Sequence, residues 1–226
     1  MVRIPVLEHD DAGKLTGISV DEREGWAHLP TDREGVRKLK RRLAKFHARR
    51  NLLIKQFPTS QLTHQQLVAY LDALQSVHHF TPDLLIVDYH KLMALDVRNL
   101  RLELGAAYER LRGLAVERNM AVGIAAQMNR EAVKATQSDE SHVGEDISIM
   151  GTSDVAVFYN QTEAEHELGT ARLWMAKGRD DRSRYSVLIT QAYEIGQFVL
   201  TSHALTHEYW MLLNERRKAS DYDTKR

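Results

Sequence analysis

The chain has 226 residues, and its Lys plus Arg and its Asp plus Glu are balanced at 31 each. A balanced charge gives no global electrostatic reason to expect a nucleic-acid or membrane partner, so any basic surface must be local. The absence of cysteine excludes disulfides and thiolate zinc sites and fits a reducing cytosol. Residues 1–20 lack the apolar core of a signal peptide and no stretch reaches the length of a membrane span, so we predict a soluble cytoplasmic protein.

Residues 1–50 predict a loop-rich lead-in followed by a basic amphipathic helix. A brief apolar run, Ile4 to Leu7, gives way to the polar turn residues 9–13, and no periodicity follows before residue 36. From there apolar residues recur at positions 36, 39, 43 and 46 with cations between them, which is typical of an amphipathic helix. The basic face is either a solvated surface or a phosphate-binding surface, and a solvated face is the simpler account.

Residues 51–203 predict the core of the protein. Leu52 to Lys55 is a candidate strand, and the capping box of Thr63 and Gln66 begins a helix that ends near residues 78–79. The aliphatic run 84–87 then predicts a strand buried on both faces, ending in Asp88. A strand, a helix and a second strand in succession predict a βαβ unit with parallel pairing.

In the rest of the core, the sequence pattern predicts a long helix followed by more strands. The helix carries one apolar stripe, made of Leu100, Leu104, Ala107, Leu111, Leu114 and Ala115. Residues 120–126 predict the next strand, and the polar stretch 128–152 predicts a mobile surface loop. Strands at 155–159, 171–176, 185–190 and 197–200, without helices between them, predict an antiparallel region. Residues 204–226 predict a helix and a charged tail.

Polar residues follow three of the predicted strands: Asp88, Gln127, and the turn Lys177-Gly178-Arg179. Parallel pairing would bring Asp88 and Gln127 to the same sheet edge, about 5 Å apart. Asp88 could hold a magnesium ion while Gln127 senses a γ-phosphate or orients a water, and the two cations could stabilise a phosphoryl transition state. Taken singly, Asp88 is explained equally well as a cap of the next helix. A loop glutamine and a solvated hairpin tip are the simpler explanations for Gln127 and for Lys177-Gly178-Arg179.

One further pair of residues has the spacing of metal ligands. His203 and His207 are four apart and would share a face if both lay on a helix. No third ligand is evident, so surface histidines are the simpler account.

As an ordered set, the motifs from about Leu52 to about Ser202 resemble the second half of the RecA-like motor domain of DnaB-type replicative helicases, especially the phage-like branch. The segments that carry the resemblance are Ile54-Lys55-Gln56-Phe57-Pro58-Thr59, Pro82-Asp83-Leu84-Leu85-Ile86-Val87-Asp88-Tyr89, Leu111-Arg112-Gly113-Leu114-Ala115, Ala126-Gln127-Met128-Asn129-Arg130, residues 145–154, and Ala176-Lys177-Gly178-Arg179. The set is far more specific than any one member.

The resemblance implies a role for each matching residue. Asp88 is similar to the Walker B ligand of magnesium, and Gln127 to the glutamine that couples the γ-phosphate of ATP to the DNA-binding loops. Arg179 resembles the arginine finger that reaches the nucleotide of a neighbouring subunit, with Lys177 as its companion cation.

The resemblance also implies partners. The loops after residues 88 and 127 correspond to those that grip single-stranded DNA in a ring-shaped, hexameric homo-oligomer. Asn129, Arg130 and Lys134 are the best candidates there for phosphate contacts, although a solvated loop explains any one of them equally well.

The sequence departs from the family at the Walker A loop, Gly-x-x-x-x-Gly-Lys-Ser/Thr, whose amides cradle the phosphates. The nearest fragment, Gly13-Lys14-Leu15, lacks both the first glycine and the hydroxyl residue. We therefore expect a RecA-like α/β sheet, mainly parallel and flanked by helices, whose amino-terminal P-loop part is missing. A separate or upstream segment would carry the Walker A loop.

The expected function is that of a part of an ATP- and Mg²⁺-dependent replicative DNA helicase, inactive in isolation. The alternatives are a non-catalytic RecA-like module that regulates a helicase ring, and another RecA-like ATPase.

Overall fold

The computed structural model describes residues 1–23, 32–48, 52–89, 93–126, 147–179 and 183–223. In chain order the strands are β1 (Val2–His9), β2 (Leu15–Arg23), β3 (Leu84–Val87), β4 (Ala121–Ile124), β5 (Val155–Asn160), β6 (Thr170–Gly178), β7 (Tyr185–Ala192) and β8 (Gln197–Ala204). The helices are α1 (Arg33–Ala48), α2 (His64–His78), α3 (Leu100–Arg118), α4 (Ile147–Thr152), α5 (Glu163–Leu168) and α6 (His207–Asp223). No helix within these described ranges is both long enough and apolar enough to cross a membrane.

The described residues form two compact units. Unit 1 contains residues 1–23, 32–39, 155–179 and 183–223, and unit 2 contains residues 40–48, 52–89, 93–126 and 147–154. The division runs through the predicted core 51–203. The predicted boundaries at 50 and 203 remain a sequence-based prediction, and each unit is treated by itself below.

The amino-terminal segment is a β-hairpin, so the prediction of a loop-rich lead-in was wrong for β1 and β2. The two strands pair antiparallel from Val2↔Arg23 onward, with a register shift at residues 8 and 9. Between them the Asp10 carboxylate accepts the amide hydrogens of Ala12 and Lys14 at 3.0 and 2.8 Å, which is the Asx-type turn that its chemistry favours. The sequence gives no clear signal for these two strands, because their buried positions do not alternate regularly.

The parallel βαβ unit lies one element later than predicted. Residues 52–58 form neither a strand nor a helix in the described structure, so the prediction of a strand at 52–55 was wrong. The described parallel pair is β3 and β4, which are joined through α3 and aligned from Leu84↔Ala121 to Val87↔Ile124. This confirms the parallel pairing predicted for the strands that precede Asp88 and Gln127. The capping box that begins α2 is confirmed, since Thr63 accepts the amide hydrogen of Gln66 and Gln66 accepts that of Thr63.

The prediction that β3 is buried on both faces was also wrong. Leu85 and Val87 pack on the core of unit 2, but Leu84 and Ile86 on the opposite face are 54% and 68% exposed. Helices α2 and α3 both contribute to the core on the Leu85 side, so one face of the parallel pair is covered and the other is not. The members of this core that are buried are Leu67, Leu71, Leu74, Met93, Leu111, Leu114 and Met120.

Unit 1 has a four-stranded antiparallel sheet in the order β5-β6-β7-β8, which confirms the antiparallel prediction. The short helix α5 between β5 and β6 was missed, although Thr162 and Glu165 form a second capping box there. The predicted terminal helix is confirmed as α6. Of the predicted loop 128–152, the described end forms α4 instead, and the remainder lies outside the described residues.

Unit 1 also holds a buried ion pair that ties helix to sheet. Arg172 and Glu165 are 2% and 0% exposed, and their two bonds measure 2.7 and 3.0 Å. The Tyr209 hydroxyl donates to Glu165 at 2.7 Å, and the Arg172 guanidinium lies 4.7 Å from the centre of the Trp210 ring. Because burial and the neighbouring carboxylate raise the pKa of Tyr209, its phenol stays protonated and keeps donating.

Candidate active site

Asp88 lies directly after β3, at the carboxyl end of the parallel pair. Val87 aligns with Ile124, and the carbonyl of Val87 accepts the amide hydrogen of Ala125 at 3.2 Å. Both strands therefore end at the same edge, which is where ligands bind in open α/β sheets. The edge placement predicted for Asp88 from the sequence is confirmed.

The alternative that Asp88 caps the next helix does not hold. The first helical turn after Asp88 within the described residues, 97–99, is capped by Asp96, whose Oδ1 accepts the amide hydrogen of Arg98 at 3.0 Å. The Asp88 carboxylate is exposed, and within the described residues it has no hydrogen-bond or ion-pair partner. It is available for a ligand.

Asp88 is one of the residues that line a cavity of about 1310 Å³ in unit 2, walled by residues 52–59, by residues 79–89 and by α2. No group of three or more His, Cys, Asp or Glu side chains that could hold a metal occurs in the described part of the chain. A single exposed carboxylate nevertheless fits Mg²⁺, which is commonly bound by one or two carboxylates together with water and substrate phosphates. The residue present is compatible with a magnesium–nucleotide complex.

The other predicted residues of this edge cannot be placed. Gln127 comes two residues after Ala125, but it lies outside the described residues, and so do the DNA-contact candidates Asn129, Arg130 and Lys134. Their roles remain predictions.

Lys177 and Arg179 lie in unit 1. The prediction of a turn at 177–179 was wrong for its first part, because β6 continues through Gly178 and Lys177 pairs with Ala156 of β5. Arg179 is the first residue after β6 and lies in an exposed bend. The convergence of Lys177 and Arg179 with Asp88 on one triphosphate site remains a prediction.

Arg112 of the motif 111–115 connects two helices of unit 2. Its guanidinium donates to the carboxylate of Asp154 at 3.0 Å and to the carbonyl of Thr152, and thereby ties α3 to the end of α4. The sequence drew attention to the motif 111–115 without indicating this contact.

The two predicted histidines do not share a helix. His203 is in β8, whereas His207 is the first residue of α6. His203 stacks on His9 with ring centroids 6.1 Å apart. The absence of a common helix face removes the geometry that would have made them a ligand pair.

Solved structures of similar fold include an ATPase domain and a DnaB-like replicative helicase. The ATPase domain matches with a TM-score of 0.59 and 16% identity, covering 78% of this chain and 62% of that domain. The DnaB-like replicative helicase, solved in a study of its interactions with primase, matches with a TM-score of 0.56 and 16% identity, covering 73% of this chain and 42% of that one.

A search by sequence also finds a DnaB-like replicative helicase. The chain is 28% identical over 139 residues to a DnaB-like replicative helicase of Enterobacteria phage T4, a match that covers 59% of this chain and 28% of that protein. No family model matches the sequence. The resemblance to DnaB-type replicative helicases is therefore confirmed, for a chain that spans little more than a quarter of the relative's length.

Proposed function

We propose that this chain is part of the motor of an ATP-dependent replicative DNA helicase. The observation that carries the proposal is the exposed carboxylate of Asp88 at the carboxyl end of a parallel strand pair, in a fold similar to DnaB-like ATPase domains. In such a motor Asp88 acts as the Walker B residue and helps to hold Mg²⁺ of a bound ATP, which supplies the electrostatic stabilisation for phosphoryl transfer. Gln127 senses the γ-phosphate from the same protomer.

The remaining residues act between subunits or on DNA. Arg179 reaches the ATP of a neighbouring protomer in a ring, proposed to be a hexamer, and Lys177 adds a second cation. Asn129, Arg130 and Lys134 contact the phosphates of single-stranded DNA in the central channel, so that hydrolysis drives translocation. A segment that carries a Walker A loop, either upstream or on a separate polypeptide, completes the nucleotide site.

The second candidate is a non-catalytic RecA-like module that joins a helicase ring. The lack of the pattern Gly-x-x-x-x-Gly-Lys-Ser/Thr in the 226 residues favours it. Under this alternative a Walker A segment supplied to the chain restores no ATPase activity, whereas under the main proposal it does. Duplex unwinding, as opposed to strand exchange, separates a helicase from other RecA-like ATPases.

The magnesium role is tested by Asp88→Asn in a motor completed with a separately supplied Walker A segment. Loss of the carboxylate removes a metal ligand worth several kcal/mol, so we expect turnover to fall by about 100-fold or more. Asp83→Asn is the matched control, because Asp83 is an exposed carboxylate at the opposite end of β3. Unchanged Mg²⁺-dependent ATPase activity in Asp88→Asn would contradict the assignment.

The role of Arg179 between subunits is tested by mixing. We expect one Arg179→Ala protomer to inactivate a ring that also contains unmodified protomers, so that the ATPase rate falls faster than the fraction of variant rises. A decline in simple proportion to the variant fraction would instead mean that Arg179 acts only within its own protomer. ATPase rate against mixing ratio is the measurement.

A further inference from the structure

Arg112 contacts the point at which the chain leaves unit 2. Its Nη1 donates to the carboxylate of Asp154 at 3.0 Å and to the carbonyl of Thr152, the last residue of α4. Asp154 is the final residue of unit 2 before the chain enters unit 1 at Val155. Arg112 is anchored in turn, because the preceding residue of α3, Leu111, is 0% exposed in the core of unit 2. The contact therefore holds the chain immediately before β5.

The ion pair of Arg112 and Asp154 is too exposed to be a main source of stability. The two side chains are 33% and 55% exposed, and ion pairs of this kind contribute little to the free energy of unfolding. Its geometry is nevertheless specific, because the planar guanidinium directs its N–H groups along fixed lines and also satisfies a carbonyl at the end of a helix. We expect loss of the contact to displace residues 152–154 without unfolding the protein.

The start of β5 pairs with the end of β6, where the two predicted cations lie. Val155 aligns with Gly178 and Ala156 with Lys177, and the predicted arginine finger follows directly. Consecutive Cα atoms are about 3.8 Å apart, so Arg112 holds the chain one residue before the first of these pairs. Displacement at that point changes the position from which the two terminal pairs begin.

A register shift separates these two terminal pairs from the rest of the β5–β6 ladder. The shift lies between Ala156, which aligns with Lys177, and Val157, which aligns with Met175. Interruptions of this kind break the regular pairing and re-aim side chains locally. The regular part of the ladder therefore does not by itself set the orientation of the pair that contains Lys177, and the position of the chain before β5 adds a constraint from the other end.

We propose that Arg112 is a positioning residue for Lys177 and Arg179, and that it acts by holding Asp154 and thereby the first residues of β5. The inference rests on the proposed function, in which these two cations act on the ATP of a neighbouring protomer. Arg112 takes no part in the chemistry itself. It fixes where the cations are held in the protomer that donates them, and it leaves the magnesium role of Asp88 in that protomer unchanged.

Hydrogen exchange in the full chain tests the positioning without any measurement of activity. Arg112→Ala and Asp154→Ala should each raise the exchange rate of the amides at 155–156 and 177–178 by about 10-fold. The amides at 173–174 of β6, beyond the register shift, should keep their rates. The double variant should exchange no faster than Arg112→Ala alone, because both changes remove the same contact.

Arg110→Ala is the matched control for the exchange experiment. Arg110 lies on the same helix, and its ion pair, at 3.9 Å, is with Glu103 of that helix. We expect this variant to leave the exchange rates at 177–178 unchanged. Unchanged rates in Arg112→Ala, or an equal increase in Arg110→Ala, would overturn the proposal.

A mixing experiment connects the positioning to the cations. In a motor completed with a Walker A segment, Arg112→Ala should lower ATPase turnover by about 10-fold and leave its Mg²⁺ dependence unchanged. Its activity should also fall as steeply with variant fraction as that of Arg179→Ala. A protomer that misfolds stays out of rings, so its activity would fall only in proportion to its fraction.

A proportional decline for Arg112→Ala, or full activity where Arg179→Ala is inactive, would overturn the proposal. Full activity in both variants would instead contradict the role proposed for the cations. The exchange rates alone would then decide whether Arg112 positions them.

Discussion

The two units differ in how completely each sheet is covered. In unit 1 the four antiparallel strands pack against α5, α6 and the β1–β2 hairpin, around a core of Leu15, Ile18, Leu168, Leu188, Tyr209 and Leu213. In unit 2 the two parallel strands have a core on one face and exposed Leu84 and Ile86 on the other. An antiparallel sheet tolerates one solvated face, whereas a parallel one does not.

The difference also appears in the polar groups of each unit. Unit 1 buries a charged pair, Arg172 and Glu165, and satisfies it with Tyr209 and Thr162. Such a pair is tolerated only where the surrounding packing excludes water and supplies every hydrogen bond. In unit 2 the prominent carboxylate, Asp88, is exposed at a strand end. The first arrangement stabilises a structure, and the second is suited to binding a ligand.

The largest expected effect comes from breaking the buried pair of unit 1. Glu165→Gln removes the carboxylate charge that accepts two hydrogen bonds from the buried Arg172 guanidinium, which should lower the free energy of unfolding by about 3 to 5 kcal/mol. Trp174 and Trp210 both lie in unit 1, so tryptophan fluorescence during urea unfolding reports it. Glu163→Gln, an exposed carboxylate of the same helix, is the control, and equal stability of the two variants would contradict the structural role.

The next largest effect is expected on the covered face of the β3–β4 pair, and a much smaller one on its exposed face. Leu111 is 0% exposed, so Leu111→Ala should cost about 2 to 5 kcal/mol through lost burial and a cavity. Ile86→Ala, on the exposed face of β3, should lower the free energy of unfolding of the isolated chain by about 0.5 kcal/mol or less. Hydrogen exchange of the α3 amides measures both. A large loss for Ile86→Ala would mean that this face is already covered.

The smallest expected effect is a dependence of the stability of unit 1 on pH. Burial, with a minor contribution from the neighbouring His9, lowers the pKa of His203 below its ordinary value of 6.5. The folded state thus favours the neutral ring, so its contribution to stability is complete above about pH 6.5 and is lost as the pH falls below that value. Thermal unfolding followed by tryptophan fluorescence between about pH 7.5 and about pH 5 should show a decline.

The pH dependence has a matched comparison within the chain. His203→Gln should flatten the decline, and His78→Gln, which changes an exposed histidine at the end of α2, should not. An identical pH profile for both variants would remove His203 as the cause.

Local signals in the sequence were enough to predict several elements. The Thr63–Gln66 capping box and the apolar spacing of 67, 71 and 74 predicted α2, and the stripe from residue 100 predicted α3. The same type of signal, Thr162 followed by Glu165, was present for α5 and was passed over. The hairpin of β1 and β2 could not be read in this way, because its buried positions follow no regular alternation.

The position of Asp88 at a strand end was fixed by the run of aliphatic residues before it, since four such residues favour a strand whatever surrounds them. Which strand lies beside β3, and which of its faces remains open, depended on contacts between residues far apart in the chain. Leu84 and Leu85 are chemically identical, yet one is exposed and the other packs on the core, because α2 and α3 lie on the same side of the sheet. The sequence by itself determined α2, α3, the strand before Asp88 and the chemistry of the candidate residues, and only the tertiary structure decided which face of that strand is covered.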